Sequence, residues 1–443
     1  MGFFKKLFGN HHAAEIAGPS LRFGRYTDSY KSAEQYAAWD ASLDAFEDEA
    51  FLESYRAFFK YLRDPAEDNV LWEEKDGEIR FEIYQGSRKV TGFANSTRFK
   101  AIARVAHADA LRPGFMRRLV EQNFDLKYSR FALDPDDNIA ILFDTNTLDG
   151  SPYKLYYALK ELATNADKLD DLLLDEFKEL RPIPVARQRD LPDHIKTAKY
   201  EYLTTQIRQT FDLMDAGRLN PTQYPSAYAY LFLALIYRLD YLVKPEGFAM
   251  ELLERLHRLY FAKDDQTMVW KNAQLRKTLQ KLLDRPPDDL FRELYEVPAT
   301  FGITSPANHD QVVGIIDGEL GHMDWFVEND HPEIALAIPG YIVGYCLFQY
   351  AVPAPDRDLF HLYYQITEAP YFQSLGFETP FFNPDTRQFS PKTIKRTIKH
   401  IAEKHRPEYP DLNPDTDLLR YDSLPGFARS FLQMIKKLRV VKV

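Results

Sequence analysis

The stretch 79–107, IRFEIYQGSRKVTGFANSTRFKAIARVAH, and its continuation 130–144, RFALDPDDNIAILFD, decide the reading of the first part of this chain. Apolar and polar residues alternate in short runs, the period of a half-buried strand. Ile79, Phe81 and Ile83 fall on one face while Arg80, Glu82 and Tyr84 fall on the other. Phe99, Ala101, Ala103 and Val105 stand likewise against Arg98, Lys100 and Arg104. Turn chemistry punctuates the runs: Asp76-Gly77 is a favoured type I′ hairpin pair joining residues 70–75 to 78–85, and Gly86-Ser87 suits a type II′ turn into 88–95. After the run 98–107, Pro113-Gly114 opens a short helix to residue 122, with Phe115, Met116 and Leu119 on its apolar side. Residues 127–133 and 138–145 form a further hairpin around Asp134-Pro135-Asp136-Asp137. Such a sheet buries one face and keeps the other wetter.

Helical sequence flanks these strands. Over residues 33–63, Trp39, Leu43, Phe46, Phe51, Tyr55, Phe58, Phe59 and Leu62 recur near a 3.6-residue period, and Asp64-Pro65 ends the run because the residue before proline leaves the α region. Ser151-Pro152 starts a long helix to about residue 180, with Ser as the cap and Pro in the first turn. The expected unit is therefore an α+β domain with an antiparallel sheet in the order helix, strands, helix, two strands, helix, over residues 33–180. With Phe131-Ala132-Leu133-Asp134-Pro135-Asp136 leading into Asn138-Ile139-Ala140-Ile141-Leu142, the order resembles the type III secretion chaperone-like fold and the related YbjN-like bacterial domains over residues 43–180. The resemblance implies a protein that binds other polypeptides, often as a homodimer, with no catalytic residue to carry over. The run 70–75 departs from it, because the family pattern has three strands before the central helix.

Residues 10–32, with Gly18, Pro19 and Gly24, read as an irregular arm, so residues 1–32 precede the folded body. The prolines in Arg181-Pro182-Ile183-Pro184 and Asp190-Leu191-Pro192 mark a linker over 181–192, since closely spaced prolines cannot continue a helix. Beyond it, residues 193–443 read as all-helical: 193–216, 222–243, 246–263, 267–284, 308–329, 332–351, 356–368, 391–405 and 424–438. Residues 372–389 read as an aromatic loop across the helices. The uncharged runs 219–237 and 334–355 are long enough to span a bilayer, but internal Pro, Gly and Gln and the acidic Glu333 and Asp356 at the ends of the second make them buried helices of the domain. Gly340 and Gly344 then admit a close neighbouring helix.

A formal net charge of −10 argues against nucleic acid as a partner of the whole chain, so any basic site is local. The lone cysteine, Cys346, excludes intrachain disulfides and thiolate metal clusters, and a reducing cytoplasmic setting is the simplest expectation. The start, Met1-Gly2-Phe3-Phe4-Lys5-Lys6-Leu7-Phe8-Gly9, lacks the apolar core of a secretory signal and offers at most a weak membrane toehold. Phosphate-binding loops, H-E-x-x-H and G-x-S-x-G patterns do not occur.

Potential ligands are densest among His309, Asp310, Asp317, Glu319, His322, Asp324, His331 and Glu333. Glu319 and His322 have the Glu-x-x-His spacing of di-iron bundles, but such bundles need two copies plus two further glutamates and only this copy has the right surroundings, so a polar helix face competes with a single-metal site at Glu319, His322 and Asp324. Lys392, Lys395, Arg396 and Lys399 flank an apolar stripe of Ile394, Ile398 and Ile401, and with Arg429, Lys436, Lys437, Arg439 and Lys442 they offer a basic patch or merely a solvated face. The expectation is a non-enzymatic protein-binding adaptor without a cofactor, taking a polypeptide client or a second copy along Phe115, Met116 and Leu119. A metal-dependent enzyme and a peripheral membrane scaffold stand as the alternatives.

Overall fold

A computed structural model of the chain describes residues 18–65, 67–109, 113–177, 179–184 and 187–443, without the side chains of residues 115, 170–172 and 174–176. The stretch Met1 to Gly9, read as a membrane toehold, lies outside the described residues. The architecture is mixed: an antiparallel sheet with helices in the N-terminal part, then mostly helices.

Helices α1 (Ala33–Glu47) and α2 (Phe51–Leu62) lead into a meander of β1 (Val70–Lys75), β2 (Glu78–Gln85), β3 (Arg88–Ala94) and β4 (Arg98–Ala108). Helix α3 (Pro113–Asn123) crosses to β5 (Arg130–Leu133) and β6 (Asn138–Asn146), and α4 (Pro152–Glu176) ends at β7 (Leu180–Pro182). The seven-stranded sheet has the order β1-β2-β3-β4-β6-β5, with β7 pairing the end of β4 at Ala106–Ala108. Asp76 and Gly77 both take positive φ, as a type I′ turn demands. The inward side chains Ile79, Phe81, Val90, Phe99, Ile141 and Phe143 form one core with Tyr55, Phe58 and Phe59 of α2 and Leu155, Leu159 and Leu162 of α4. On the wetter face Arg130 meets Asp144 at 2.6 Å and Arg104 meets Asp134 at 2.7 Å.

The expected single helix over 33–63 is two helices. Their junction is a Schellman motif: the N–H of Ala50 donates to the Ala45 carbonyl at 2.8 Å, that of Glu49 to Phe46 at 3.1 Å, and Glu49 takes φ 58°. The turn carries no glycine, so composition gave no sign of it.

The second part comprises α5 (Asp193–Asp215), α6 (Pro225–Leu242), α7 (Gly247–Phe261), α8 (Met268–Leu283), α9 (Pro287–Arg292), α10 (His309–Glu319), α11 (Met323–Glu328), α12 (Pro332–Gln349), α13 (Ala354–Thr367), α14 (Ala369–Ser374), α15 (Pro391–His405) and α16 (Leu424–Lys436). The expected helix 308–329 is α10 and α11 joined by a 3₁₀ turn, and the expected aromatic loop holds part of α14 and a small hairpin, Phe382–Asn383 against Gln388–Phe389. Helices α6 and α12 pack together at the centre, where a Cβ on Gly344 would lie 2.6 Å from Tyr237 Cβ. No helix among the described residues is long and apolar enough to cross a membrane.

The two parts are sewn together twice. The arm before α1 runs over the helical part, with the Gly24 N–H on the Tyr241 carbonyl at 2.8 Å and Arg25 paired with buried Asp240. In return, residues 297–304 leave the helices and enter the first core: Phe301 is buried there, and Gln85 binds the backbone of Thr300 and Phe301. Asn69 adds a hydrogen bond to the Thr300 hydroxyl at 2.9 Å.

Candidate functional site

Helix α3 carries two apolar stripes. One faces inward: Leu119 is 4% exposed and belongs to the core, which removes it from any surface a partner meets. This corrects the expected contact set, because the side of the helix holding Leu119 is spent on folding. The side chain of Phe115 lies outside the described residues. The other runs at four-residue spacing from half-buried Met116, which also packs on the core, through Val120 to Phe124 in the turn after the helix, with Val120 65% and Phe124 92% exposed. These three line a shallow surface groove with Arg117 and Glu121, themselves paired at 2.8 Å. Sequence reading passed over Val120 and Phe124, although their spacing was visible.

Beside this stripe lies the edge strand β5, and two side chains tie it down. Asn123, the last residue of α3, accepts the Phe131 N–H at 2.6 Å, covering an outward donor of the edge. Glu161 of α4 accepts the N–H groups of Lys127, Tyr128 and Ser129 at 2.8–2.9 Å and the Ser129 hydroxyl at 2.7 Å.

The proposed ligand cluster disperses. Tyr230 holds Glu319 and His322 together: its hydroxyl donates to Glu319 Oε2 at 2.6 Å and lies 2.7 Å from His322 Nδ1. Since the hydroxyl has a single proton, His322 donates from Nδ1 to the tyrosine oxygen when Glu319 is the acceptor. Asp324 turns instead to Arg429, and Asp317 to Lys436. His309 is buried against Asp356 at 2.9 Å. Among the described residues no group of three or more His, Cys, Asp or Glu is arranged to hold a metal ion. Cys346 is fully buried, and burial pushes its thiol far above the ordinary range, which suits packing rather than nucleophilic attack.

The basic set also divides. Lys392, Arg396 and Lys399 are exposed on α15, while Lys395 binds Asp417 at 2.7 Å and Lys442 binds Glu408 at 2.8 Å. Arg429 and Lys436 are engaged as well, so Lys392, Arg396 and Lys399 form a short exposed strip on α15, while Lys437 and Arg439 are exposed just after α16.

A deep cleft of about 850 Å³ was not foreseen. It lies between the arm, α13 and α15, and its polar lining includes Lys31, Arg357, Asp358, His361, Thr397 and Lys404. Nothing in the local sequence signals it, because its walls come from segments hundreds of residues apart. Compared with protein-family models and with curated proteins, the chain matches none.

Proposed function

We propose that this chain is a non-catalytic polypeptide-binding adaptor, similar over its N-terminal part to secretion chaperones and working in a reducing compartment. The observation that supports the reading best is the pair Val120 and Phe124, exposed on α3 and in the turn that follows it and continuing the line of half-buried Met116. An apolar stripe at this spacing is the face that an amphipathic helix turns to a partner. Isolated apolar residues on a surface need no explanation, but Val120 and Phe124, four residues apart and lining one groove with Met116, do. The occupant that fits is an apolar segment of another polypeptide, a second copy of this chain included. The arrangement of the sheet, with β6 between β4 and β5, supports the same reading.

The test is size-exclusion chromatography with light scattering on the full chain, coupled to identification of any co-eluting polypeptide. Assembly with a second copy or a stoichiometric client is expected, and Val120→Glu with Phe124→Glu should weaken it by about tenfold or more while leaving the melting temperature essentially unchanged. A strictly monomeric, partner-free protein, or an assembly indifferent to both substitutions, overturns the reading.

A further inference from the structure

The cleft between the arm and α13/α15 has a composition unlike the rest of this acidic chain. Its arm wall is fixed in place, since Phe23 packs against His361 and Phe372 at ring distances of 5.2 Å and the Gly24 N–H is bonded to Tyr241. Phe23, Tyr30, Tyr241 and Phe377 make much of the surface aromatic. His361 joins them as an uncharged ring: burial pulls it down to about 4, and Gln365 and Tyr241 occupy its two nitrogens at 3.1 and 3.0 Å.

Into this aromatic space project cations with hydrogen-bonding capacity to spare. The Arg357 guanidinium lies 4.4 Å over the Tyr30 ring and makes no side-chain hydrogen bond among the described residues. Its nearest carboxylate oxygen is Asp358 Oδ1 at 3.6 Å, beyond hydrogen-bond distance, and the other oxygen of that group, Oδ2, takes Lys404 and His405, each at 2.8 Å. Lys31 is 6% exposed, yet its ammonium, 5.2 Å over the Tyr61 ring, has a single hydrogen-bond acceptor, the Leu62 carbonyl at 3.2 Å, and no carboxylate within ion-pair distance among the described residues. A buried ammonium with two unused N–H groups is costly unless an acceptor reaches it. Burial accordingly pulls it down to about 8, against the attraction of Asp28 and Asp64. The buried hydroxyls of Thr304 and Thr397, which also line the cleft, have no hydrogen-bond partner either among the described residues. Donors thus exceed acceptors in a cavity whose volume lies in the ordinary range for small-molecule sites.

We infer that this cleft binds a small aromatic oxyanion, a sulfonate, phosphate or carboxylate on a planar ring system, whose anionic group is taken by Arg357 and whose ring lies among Phe23, Tyr30 and Tyr241. A guanidinium presents a planar fork of donors suited to such a group, and stacking on Tyr30 orients that fork in advance. The site is separate from the α3 surface and does not depend on it.

The test is a fluorescence titration of the full chain at pH 7 with 8-anilinonaphthalene-1-sulfonate, a planar aromatic sulfonate, followed by displacement with inorganic sulfate. Saturable one-to-one binding is expected, weakened about tenfold or more by Arg357→Gln, as befits loss of a charge-assisted hydrogen bond, and only partly restored by Arg357→Lys, which returns the charge but not the planar fork. Sulfate should displace the probe from the unaltered chain at lower concentration than from Arg357→Gln. Lys31→Met, which removes the buried charge without exposing the core, supplies a second variant and should also weaken binding. Absence of saturable binding, or binding that ignores Arg357→Gln and Lys31→Met, overturns the inference. So does binding that disappears instead with Val120→Glu and Phe124→Glu, which would locate the dye on α3.

Discussion

Gln85 does more to join the two parts of the molecule than its place at a strand end suggests. Its Oε1 accepts the N–H groups of Thr300 and Phe301 at 3.0 and 2.8 Å, and its amide donates to the Phe301 carbonyl at 3.2 Å, all in the interior. Replacing it with Ala strands buried backbone groups, each worth about 1–3 kcal/mol when unpaired, so Gln85→Ala should cost about 3 kcal/mol or more in urea denaturation. A loss below about 1 kcal/mol would mean that water repairs the gap. Glu161 offers a pH-dependent counterpart. Partial burial pushes its carboxyl up, but the N–H groups of Lys127, Ser129 and Tyr128 and the Ser129 hydroxyl outweigh this and hold it below its ordinary value. A depressed carboxyl contributes stability above the unfolded-state pKa, about 4.3, and loses it as pH falls through the folded value. Glu161→Gln should therefore be less stable than the unaltered protein at pH 7, by about 1 kcal/mol given solvent screening, and the two should converge at pH 3. A difference that persists at pH 3 would assign the effect to packing. Neither residue's role was legible in the sequence, because Gln85 meets partners 215 positions away and Glu161 acts on a turn more than thirty residues before it.

Elements were more legible, and the exceptions have identifiable causes. The strands β1 to β4 and β6 follow the alternation of apolar residues because a sheet with one buried face imposes a period of two on the chain. The break between α1 and α2 escaped because Glu49, rather than the usual glycine, occupies the left-handed position that closes the first helix. A side chain there carries a steric cost that glycine avoids, so Glu49→Gly should raise stability by about 0.5–1 kcal/mol, seen as a higher urea midpoint with unchanged slope. A drop instead would show that the Glu49 side chain contributes something the helix end needs. Helix α3 was placed correctly, yet its two apolar stripes were told apart only by burial. Periodicity says which residues share a side; it does not say which side the sheet has already covered.

At the level of the whole molecule, folding of the two parts is coupled. Phe301 and Thr300 belong to the helical part in sequence and to the first core in space, while the arm joins the first part in sequence and lies on Tyr241 and Asp240. Lys168 of α4 adds an ion pair to Glu251 of α7 at 2.7 Å. A fragment of residues 18–190 lacks the Phe301 plug and the surface the arm rests on. It should show no cooperative thermal transition, whereas the full chain should unfold with coincident near- and far-ultraviolet circular dichroism transitions. Two separated transitions, or a cooperatively folding fragment, would show that the parts are independent. What the sequence by itself determined were the features that depend on near neighbours: the period-two runs, the Asp76-Gly77 turn, the proline-marked helix starts and the helical character of the later part. The exposed face of α3, the joining of Glu319 and His322 by Tyr230 while Asp324 turns to Arg429, and the cleft of Lys31 and Arg357 were decided by tertiary structure alone. The physical reason is that hydrophobic burial rewards any apolar surface removed from water, whichever distant segment covers it, so the pairing of faces is a property of the packed chain and not of any window along it.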